Sequence, residues 1–160
     1  MDKNKQNETL KNLYEDLFMF EVEGNNVEDA IEKALKQTKL NKDEISLRVL
    51  TEGSPGLFGL RGDKPAKVLI APKFDKIELW VKTLAARLLL LTFLTDEEIS
   101  VECTKKDNIL HLILEVGDSI YKKFINPKSS ELLDAFTLIL EIFVHKIDKK
   151  LKLHLEVRKI

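Results

Sequence analysis

The chain has 160 residues, of which 44% are hydrophobic and 33% are charged, and its formal net charge is −1. This composition is typical of a folded globular protein and excludes a disordered or collagen-like chain, whereas the near-neutral charge neither indicates nor excludes a polyanionic partner. The first residues lack the apolar core of a signal peptide, and the apolar run 88–94 is far shorter than the roughly 20 residues of a membrane span. The single cysteine, Cys103, excludes an internal disulfide. We therefore expect a cytoplasmic protein without a membrane span.

The first part of the chain is predicted to form a strand–helix–strand–loop–strand unit. Alternation of apolar and polar residues indicates strands, and apolar residues that recur at helical spacing indicate helices. The predicted elements are a short helix at 9–18, strands at 20–24, 45–49 and 66–71, and a helix at 27–35 capped by Asn25 or Asn26. We assign residues 1–18 to a tail or short helix and residues 19–73 to a first, small β-α-β-β domain.

A glycine-rich loop joins the second and third predicted strands. Glycines at 53, 56, 59 and 62 indicate tight turns and positive φ angles. The loop lacks the Gly-x-x-x-x-Gly-Lys-Ser/Thr pattern of a nucleotide P-loop. Either its apolar residues fold back onto the domain, or it is a contact loop, since ordered glycine loops frequently carry function. The candidate contact residues are Gly56, Phe58, Gly59, Arg61, Lys64 and Lys67.

The remainder of the chain is predicted to fold in the order α-β-β-α-α-β. The predicted elements are a helix at 77–94, strands at 99–104 and 109–116, a helical turn that ends near 124, a long helix that ends at 147, and a strand at 151–157. We assign residues 75–160 to a second domain with one three-stranded sheet. The fold class is therefore α+β.

Two segments of the first domain, EVEGNNVEDAIEKAL and DEISLRVLTEGSPGLFGLRGDKPAKV, resemble the N-terminal domain of the Jag family. Members of this family are also called KhpB or SpoIIIJ-associated RNA-binding proteins. In that family the domain precedes a type II KH domain, whose element order is the one predicted for residues 75–160. The resemblance implies a non-catalytic RNA-binding or RNA-linked regulatory protein that needs no cofactor. We expect the family's further C-terminal single-strand-binding domain to be missing.

The KH signature G-x-x-G falls at residues 126–129, which read Asn-Pro-Lys-Ser and contain neither glycine. A KH loop clamps backbone phosphates because backbone N–H groups at a helix N-terminus approach an anion closely. Pro127 has no N–H to offer, whereas Ser129 or Ser130 can cap the following helix. The turn is either a degenerate RNA site of weak, unspecific affinity or only a helix cap. The candidate RNA-binding residues are Lys122, Lys123, Asn126, Lys128, Ser129 and Ser130.

The long helix after this turn is more apolar than one sheet face requires. Its polar residues form one narrow stripe of Glu131, Asp134, Thr137, Glu141 and His145. The apolar surplus either packs against the helix at 77–94 or forms an interface. The interface would bind a second copy or a small KH protein. The alternative function is therefore a protein-interaction or dimerisation module that has lost RNA binding.

No arrangement of residues in the sequence indicates catalysis or a metal site. The three histidines, His111, His145 and His154, have no cysteine or second histidine at metal-ligand spacing. His111 and His154 alternate with leucines, which predicts that both lie on the outer face of the sheet in structural or surface roles. No nucleophile–base pair stands out. We therefore do not expect an enzyme.

Overall fold

The structure, a computed structural model, describes residues 3–54, 64–94, 97–126 and 130–160. The chain divides into two compact units, Met1–Lys76 and Ile77–Ile160. Each unit contains one three-stranded sheet with helices packed against it. The predicted α+β class is confirmed, and the elements follow the predicted order.

The first unit consists of two helices and an antiparallel sheet. Its elements are α1 (Lys3–Phe18), β1 (Phe20–Gly24), α2 (Val27–Thr38), a 3-10 turn (Lys42–Glu44), β2 (Ile45–Thr51) and β3 (Ala66–Pro72). The strand order is β1-β3-β2, so β3 is central. Helix α1 begins well before the predicted residue 9 and is held by the buried Tyr14 and Phe18. The Tyr14 hydroxyl donates a hydrogen bond to the Pro72 carbonyl oxygen at 2.5 Å.

Helix α2 packs on β1 and β3 and provides half of the buried residues of the core cluster between them. The core residues are Val22, Ala30, Ile31, Ala34, Val68 and Ile70. Asn26 is the N-cap, and its side-chain oxygen accepts a hydrogen bond from the Asp29 backbone N–H at 2.8 Å. The helix ends where Lys39 adopts a left-handed conformation with φ 56°. The Asn26 side chain therefore defines the start of α2, whereas the helix ends in a left-handed cap whose residue, Lys39, is not one of the types that favour this conformation.

Gly24→Ala is expected to destabilise the first unit. Gly24 ends β1 directly beneath the start of α2, where a Cβ atom would meet the backbone nitrogen of Ala30 at 2.4 Å. Backbone atoms cannot move away as the end of a flexible side chain can. We therefore expect the free energy of unfolding to fall by about 1–3 kcal/mol, as for overpacked cores. Thermal unfolding measures the effect, with Ser46→Ala on the exposed face of β2 as the control. An unchanged Tm for Gly24→Ala would contradict this close approach.

The second unit contains three helices and a mixed sheet. Its elements are α3 (Ile77–Phe93), β4 (Ile99–Lys106), β5 (Ile109–Val116), α4 (Asp118–Ile125), α5 (Ser130–Ile147) and β6 (Lys152–Lys159). The strand order is β4-β5-β6, with β4 antiparallel and β6 parallel to β5. As predicted, the last strand pairs with the hairpin. A tight turn with Asp107 at φ 54° closes that hairpin.

The two faces of this second sheet differ in the way the alternating sequence predicts. Residues 110, 112, 114 and 116 of β5 are completely buried beneath the helices. Cys103 pairs with Leu112 and shares this inner face, and burial raises the pKa of its thiol to about 12. The thiol therefore stays protonated and is a packing residue. His111 and His154 lie on the outer face, as expected.

Candidate nucleic-acid interface

Residues 126–129, predicted to be a degenerate KH signature, connect α4 to α5. Of the predicted RNA-binding residues, Lys128 and Ser129 lie outside the described residues, and so does the side chain of Ser130. Asn126 is the C-cap of α4, with φ −66° and ψ 123°. This extended conformation is open to any residue, so Asn126 does not adopt a backbone geometry that favours glycine. Its N–H donates to the Lys122 carbonyl oxygen at 3.2 Å.

A cluster of charged side chains lies on α4, the helix that begins at Asp118 and ends before Asn126. Asp118 Oδ2 contacts Lys122 Nζ at 2.5 Å, and Asp118 Oδ1 contacts Lys159 Nζ at 2.6 Å. Hydrogen bonds from Lys122 and Lys159 lower the pKa of the Asp118 carboxyl to about 2. The same bond raises the pKa of the Lys122 ammonium. The carboxylate therefore organises two lysines that come from different elements of the unit.

Lys123 completes the cluster from the next position of α4. Its ammonium group lies over the Phe93 ring, 5.3 Å from the ring centroid. Phe93 in turn packs edge-on against the buried Phe124, with the ring centroids 5.5 Å apart. This cation–π contact leaves the charge at the surface. We call Lys122, Lys123 and Lys159 the lysine patch; its three positive charges exceed the two negative charges at the start of α4, Asp118 and Glu97, whose Oε1 accepts a hydrogen bond from Ser119 Oγ.

Lys122 and Lys123 were predicted from the sequence as RNA-binding residues, whereas Lys159 was not. Lys159 lies at the end of β6, far from α4 in sequence, and pairs in register with Val116 of β5. Only the parallel pairing of β6 with β5 brings it beside the start of α4. No local motif in the sequence marks that proximity.

The glycine loop of the first unit is described only at its base. The candidates Gly56, Phe58, Gly59 and Arg61 lie outside the described residues. Ser54 and Lys64 form a backbone pair, with N–H to carbonyl distances of 3.0 and 3.2 Å. Gly53 has φ 77°, which requires glycine at that position or a strained residue. The loop therefore begins and ends at two hydrogen-bonded residues.

Lys67, the last candidate of that loop region, lies on β3 and contacts two glutamates of β1. Its Nζ lies 2.8 Å from Glu21 Oε1 and 2.6 Å from Glu23 Oε1. These hydrogen bonds raise the pKa of Lys67. The surroundings of Lys67 are therefore net negative, which disfavours a phosphate at this point. Among the described residues, the lysines at α4 are therefore better placed to bind an anion than Lys67 is.

The outward face of α5 carries an exposed apolar surface. Leu138, Ile139 and Ile142 are 56%, 47% and 61% exposed, and Ala135 on the same face is also exposed. We call these four residues the α5 apolar face. The predicted packing against α3 thus absorbs only part of the apolar surplus. Exposed acidic residues precede this face on α5, and exposed basic residues follow it.

Two further properties concern metals and membranes. Within the described ranges, no group of three or more histidine, cysteine, aspartate or glutamate side chains is placed to hold a metal ion. None of the helices in the described part of the chain has the length and apolarity needed to cross a membrane.

Fold and surface together define an α+β protein of two three-stranded units with a basic cluster beside the last helix pair. Residues 22–72 match the family described as Jag N-terminus. The chain is also 37% identical, over 65 residues, to RNA-binding protein KhpB of Bacillus subtilis (strain 168). The predicted resemblance to the Jag family is therefore confirmed. That alignment covers 39% of this chain and 31% of the relative, about a third of the relative's length.

Proposed function

We propose that this protein binds RNA without catalysis, as a cytoplasmic member of the Jag/KhpB type. In this proposal, residues 19–73 are a Jag N-terminal domain preceded by the helical segment 1–18, and residues 75–160 are a degenerate type II KH domain. The observation that carries the proposal is the lysine patch on α4, the helix that precedes the segment predicted to be the KH signature. The name of the B. subtilis relative supports the same function.

The lysine patch would bind phosphates through side chains rather than backbone amides. The N–H of Asn126 is already bonded within α4, and Pro127 has none. Lysine ammonium groups contact phosphate as point charges, which positions a nucleic acid but reads no sequence. Binding is therefore weak, strongly dependent on salt and nearly indifferent to sequence. Lys128, Ser129 and Ser130 add to this site if they contact the same phosphates.

The experiment that tests this function measures the affinity of the purified chain for single-stranded RNA across a salt series. Each phosphate contact made to a single strand contributes about −0.7 to the slope of log K against log salt. A negative slope, with similar affinity for RNAs of different sequence, is the expected result. Affinity that is absent at low salt, or that does not change with salt, would exclude phosphate binding.

Asp118→Asn is expected to strengthen RNA binding. The substitution removes the carboxylate that competes with phosphates for Lys122 and Lys159. The affinity should therefore rise at every salt concentration, whereas the slope against salt stays nearly unchanged because the same lysines contact phosphate in both proteins. Because the pKa of Asp118 is about 2, mild acidification does not release the lysines, and the variant is needed. Weaker binding by Asp118→Asn would contradict a phosphate site at this patch.

A second candidate function is association through the α5 apolar face, with a second copy of the chain as the partner. The exposed apolar residues carry this proposal, since monomers seldom leave such a surface uncovered. The charges flanking the face favour a second copy over an unrelated protein. Glu131 precedes the face and Lys146 follows it, so an antiparallel pair of α5 helices brings opposite charges together at both ends.

The spacing along α5 gives the register of this pair. If the two-fold axis passes beside the midpoint between Leu138 and Ile139, Leu138 of each copy contacts Ile139 of the other copy. The same axis places the small Ala135 against the large Ile142. Two such contacts form because the interface is isologous. A small KH protein with a similar helix is the alternative partner, and association measurements on the isolated chain distinguish the two.

A further inference from the structure

The outer face of the β4-β5-β6 sheet carries its side chains in rows that cross the three strands. Side chains of alternate residues point to the same face of a sheet, and the strand register places them side by side. His111 of β5 is the direct neighbour of His154 of β6. From one end of the sheet to the other, the rows are Lys106, Ile109 and Lys152; Thr104, His111 and His154; Glu102, Ile113 and Glu156; and Ser100, Glu115 and Arg158.

A groove of about 580 Å³ lies on this face, along β5 and β6. Its volume is in the range of pockets that bind small molecules. Its floor is partly apolar, since Ile109 is 39% exposed and Ile113 is half-buried. Neither the RNA site nor the α5 apolar face uses this groove. The side chains that line it include Ile109, His111, Ile113, Lys152, His154 and Glu156.

The two ends of this face differ in charge. At one end, Lys106 and Lys152 flank Ile109, and the row that they form contains no acidic residue. At the other end, three carboxylates outnumber one guanidinium group, which donates hydrogen bonds to one of them at 2.8 and 3.0 Å. An anionic group is therefore attracted to the lysine row and repelled from the opposite end. The residues of the acidic end are Glu102, Glu115, Glu156 and Arg158.

The two histidines form an aromatic surface next to the lysine row. Their ring centroids are 5.6 Å apart, and the ring planes are inclined by 63°. Unpaired nucleobases stack on aromatic side chains, histidine included. A base that stacks on one of these rings meets the other ring at an incline, and both stacked and edge-on contacts are favourable. The lysine row begins two residues along each strand, about 7 Å away. A ligand with a planar ring and a nearby anionic group therefore matches both rows.

We propose that this groove binds one nucleotide, with its base stacked on the pair His111 and His154 and its phosphate between Lys106 and Lys152. The nucleotide is either free or part of a single-stranded RNA, since both present the same base and phosphate. Lys152 and Lys159 are at opposite ends of β6, about 23 Å apart along an extended strand. The site is therefore separate from the lysine patch, and binding of a free nucleotide does not depend on the RNA-binding function proposed above.

NMR titrations of the full chain with adenosine monophosphate, adenosine and inorganic phosphate test the site. We expect the monophosphate to bind at least about tenfold more tightly than either of the others, because it alone contacts both rows. The ring signals of His111 and His154 should shift on binding. Those of His145, which lies exposed on α5, should not. Equal affinity for all three compounds, or equal shifts of all three histidines, would overturn the proposal.

Variants separate the contribution of the base from that of the phosphate. His154→Ala should lower the affinity for adenosine monophosphate about five- to a hundredfold, as the loss of base stacking does. Lys152→Gln should lower the affinity for the monophosphate but not for adenosine. Lys36→Gln is the matched control, since Lys36 lies exposed on α2. If Lys36→Gln and Lys152→Gln have the same effect, or if His154→Ala has none, the site is wrong. Circular dichroism establishes that each variant is folded.

Fluorescence anisotropy with a short single-stranded RNA identifies the source of the nucleotide. If the groove takes a nucleotide of an RNA strand, His154→Ala weakens RNA binding and adenosine monophosphate competes with the RNA. If the groove takes a free nucleotide, His154→Ala leaves the RNA affinity unchanged. The two proposals fail separately. Intact binding of the monophosphate without RNA binding contradicts only the proposed function, whereas intact RNA binding without any binding of the monophosphate contradicts only the nucleotide site.

Discussion

The double variant Leu138→Asp/Ile142→Asp is expected to sediment as a monomer at concentrations at which we expect the unaltered chain to sediment as a dimer. Both side chains are more than half exposed in the single chain, so the aspartates face solvent and leave the fold intact. In the α5 pair they become buried, and burying an unpaired charge costs several kcal/mol. Two-fold symmetry doubles that cost, so the dissociation constant should rise by more than about a hundredfold. Analytical ultracentrifugation over a concentration series measures the change.

Charge reversal at the ends of α5 distinguishes this antiparallel pair from nonspecific association of apolar surfaces. Glu131→Lys alone, or Lys146→Glu alone, should weaken the dimer, because each creates two like-charge contacts. The combined variant restores opposite charges at both ends and should recover the dimer. Exposed pairs of this kind contribute about 0.2–1 kcal/mol each, so the changes are modest but opposite in direction. A combined variant weaker than either single one would contradict the register, and an unaltered chain that stays monomeric would contradict the interface.

Replacing Lys122, Lys123 and Lys159 together by glutamine should remove most of the salt dependence of RNA binding. Three lost contacts flatten the slope of log K against log salt by about 2 units, at about 0.7 each for single strands. The affinity should therefore fall most at low salt, where counterion release contributes most. Fluorescence anisotropy with a short unstructured RNA at several salt concentrations measures both quantities.

The control for that variant removes the same charge elsewhere. Lys36, Lys42 and Lys149 are exposed and lie outside the lysine patch, so their replacement by glutamine changes net charge equally. We expect this control to reduce affinity slightly and to leave the slope nearly unchanged. If both triple variants behave alike, RNA binding follows net charge rather than the patch. If neither changes binding, the α4–α5 turn is a helix cap.

The order and type of the elements were predictable because burial imposes a period on the sequence. Residues 109–116 alternate between a partly exposed and a completely buried face. This alternation can be recognised from the amino-acid sequence alone. The start of α1 was not predictable in the same way. Its apolar residues at helical spacing, Leu10, Tyr14 and Leu17, all follow residue 9, so residues 3–8 (KNKQNE) lack the apolar spacing that indicates a helix.

The candidate site was only partly predictable, because side-chain partners depend on tertiary pairing. Lys122 and Lys123 were found from their proximity to the turn, whereas Lys159 reaches Asp118 from another strand. Lys67 was taken as a possible contact residue, yet strand pairing places it beside two glutamates. The histidine pair shows the same limit. Alternation predicted the outer face for both rings, but their direct pairing follows from the register of β5 and β6.

The parallel pairing of β6 with β5 also affects how the chain acquires its structure during synthesis. The sheet of the first unit is complete only once its central strand β3 has been synthesised, because β1 pairs with β3, as Val22 does with Val68. In the second unit, two helices separate β5 from β6, so one edge of the central strand stays unpaired until β6 leaves the ribosome. Such an open edge is a template for wrong pairing. Both sheets therefore depend on pairs of high sequence separation, which fold slowly, and the nascent chain is most prone to aggregation before the last strand of each sheet is synthesised.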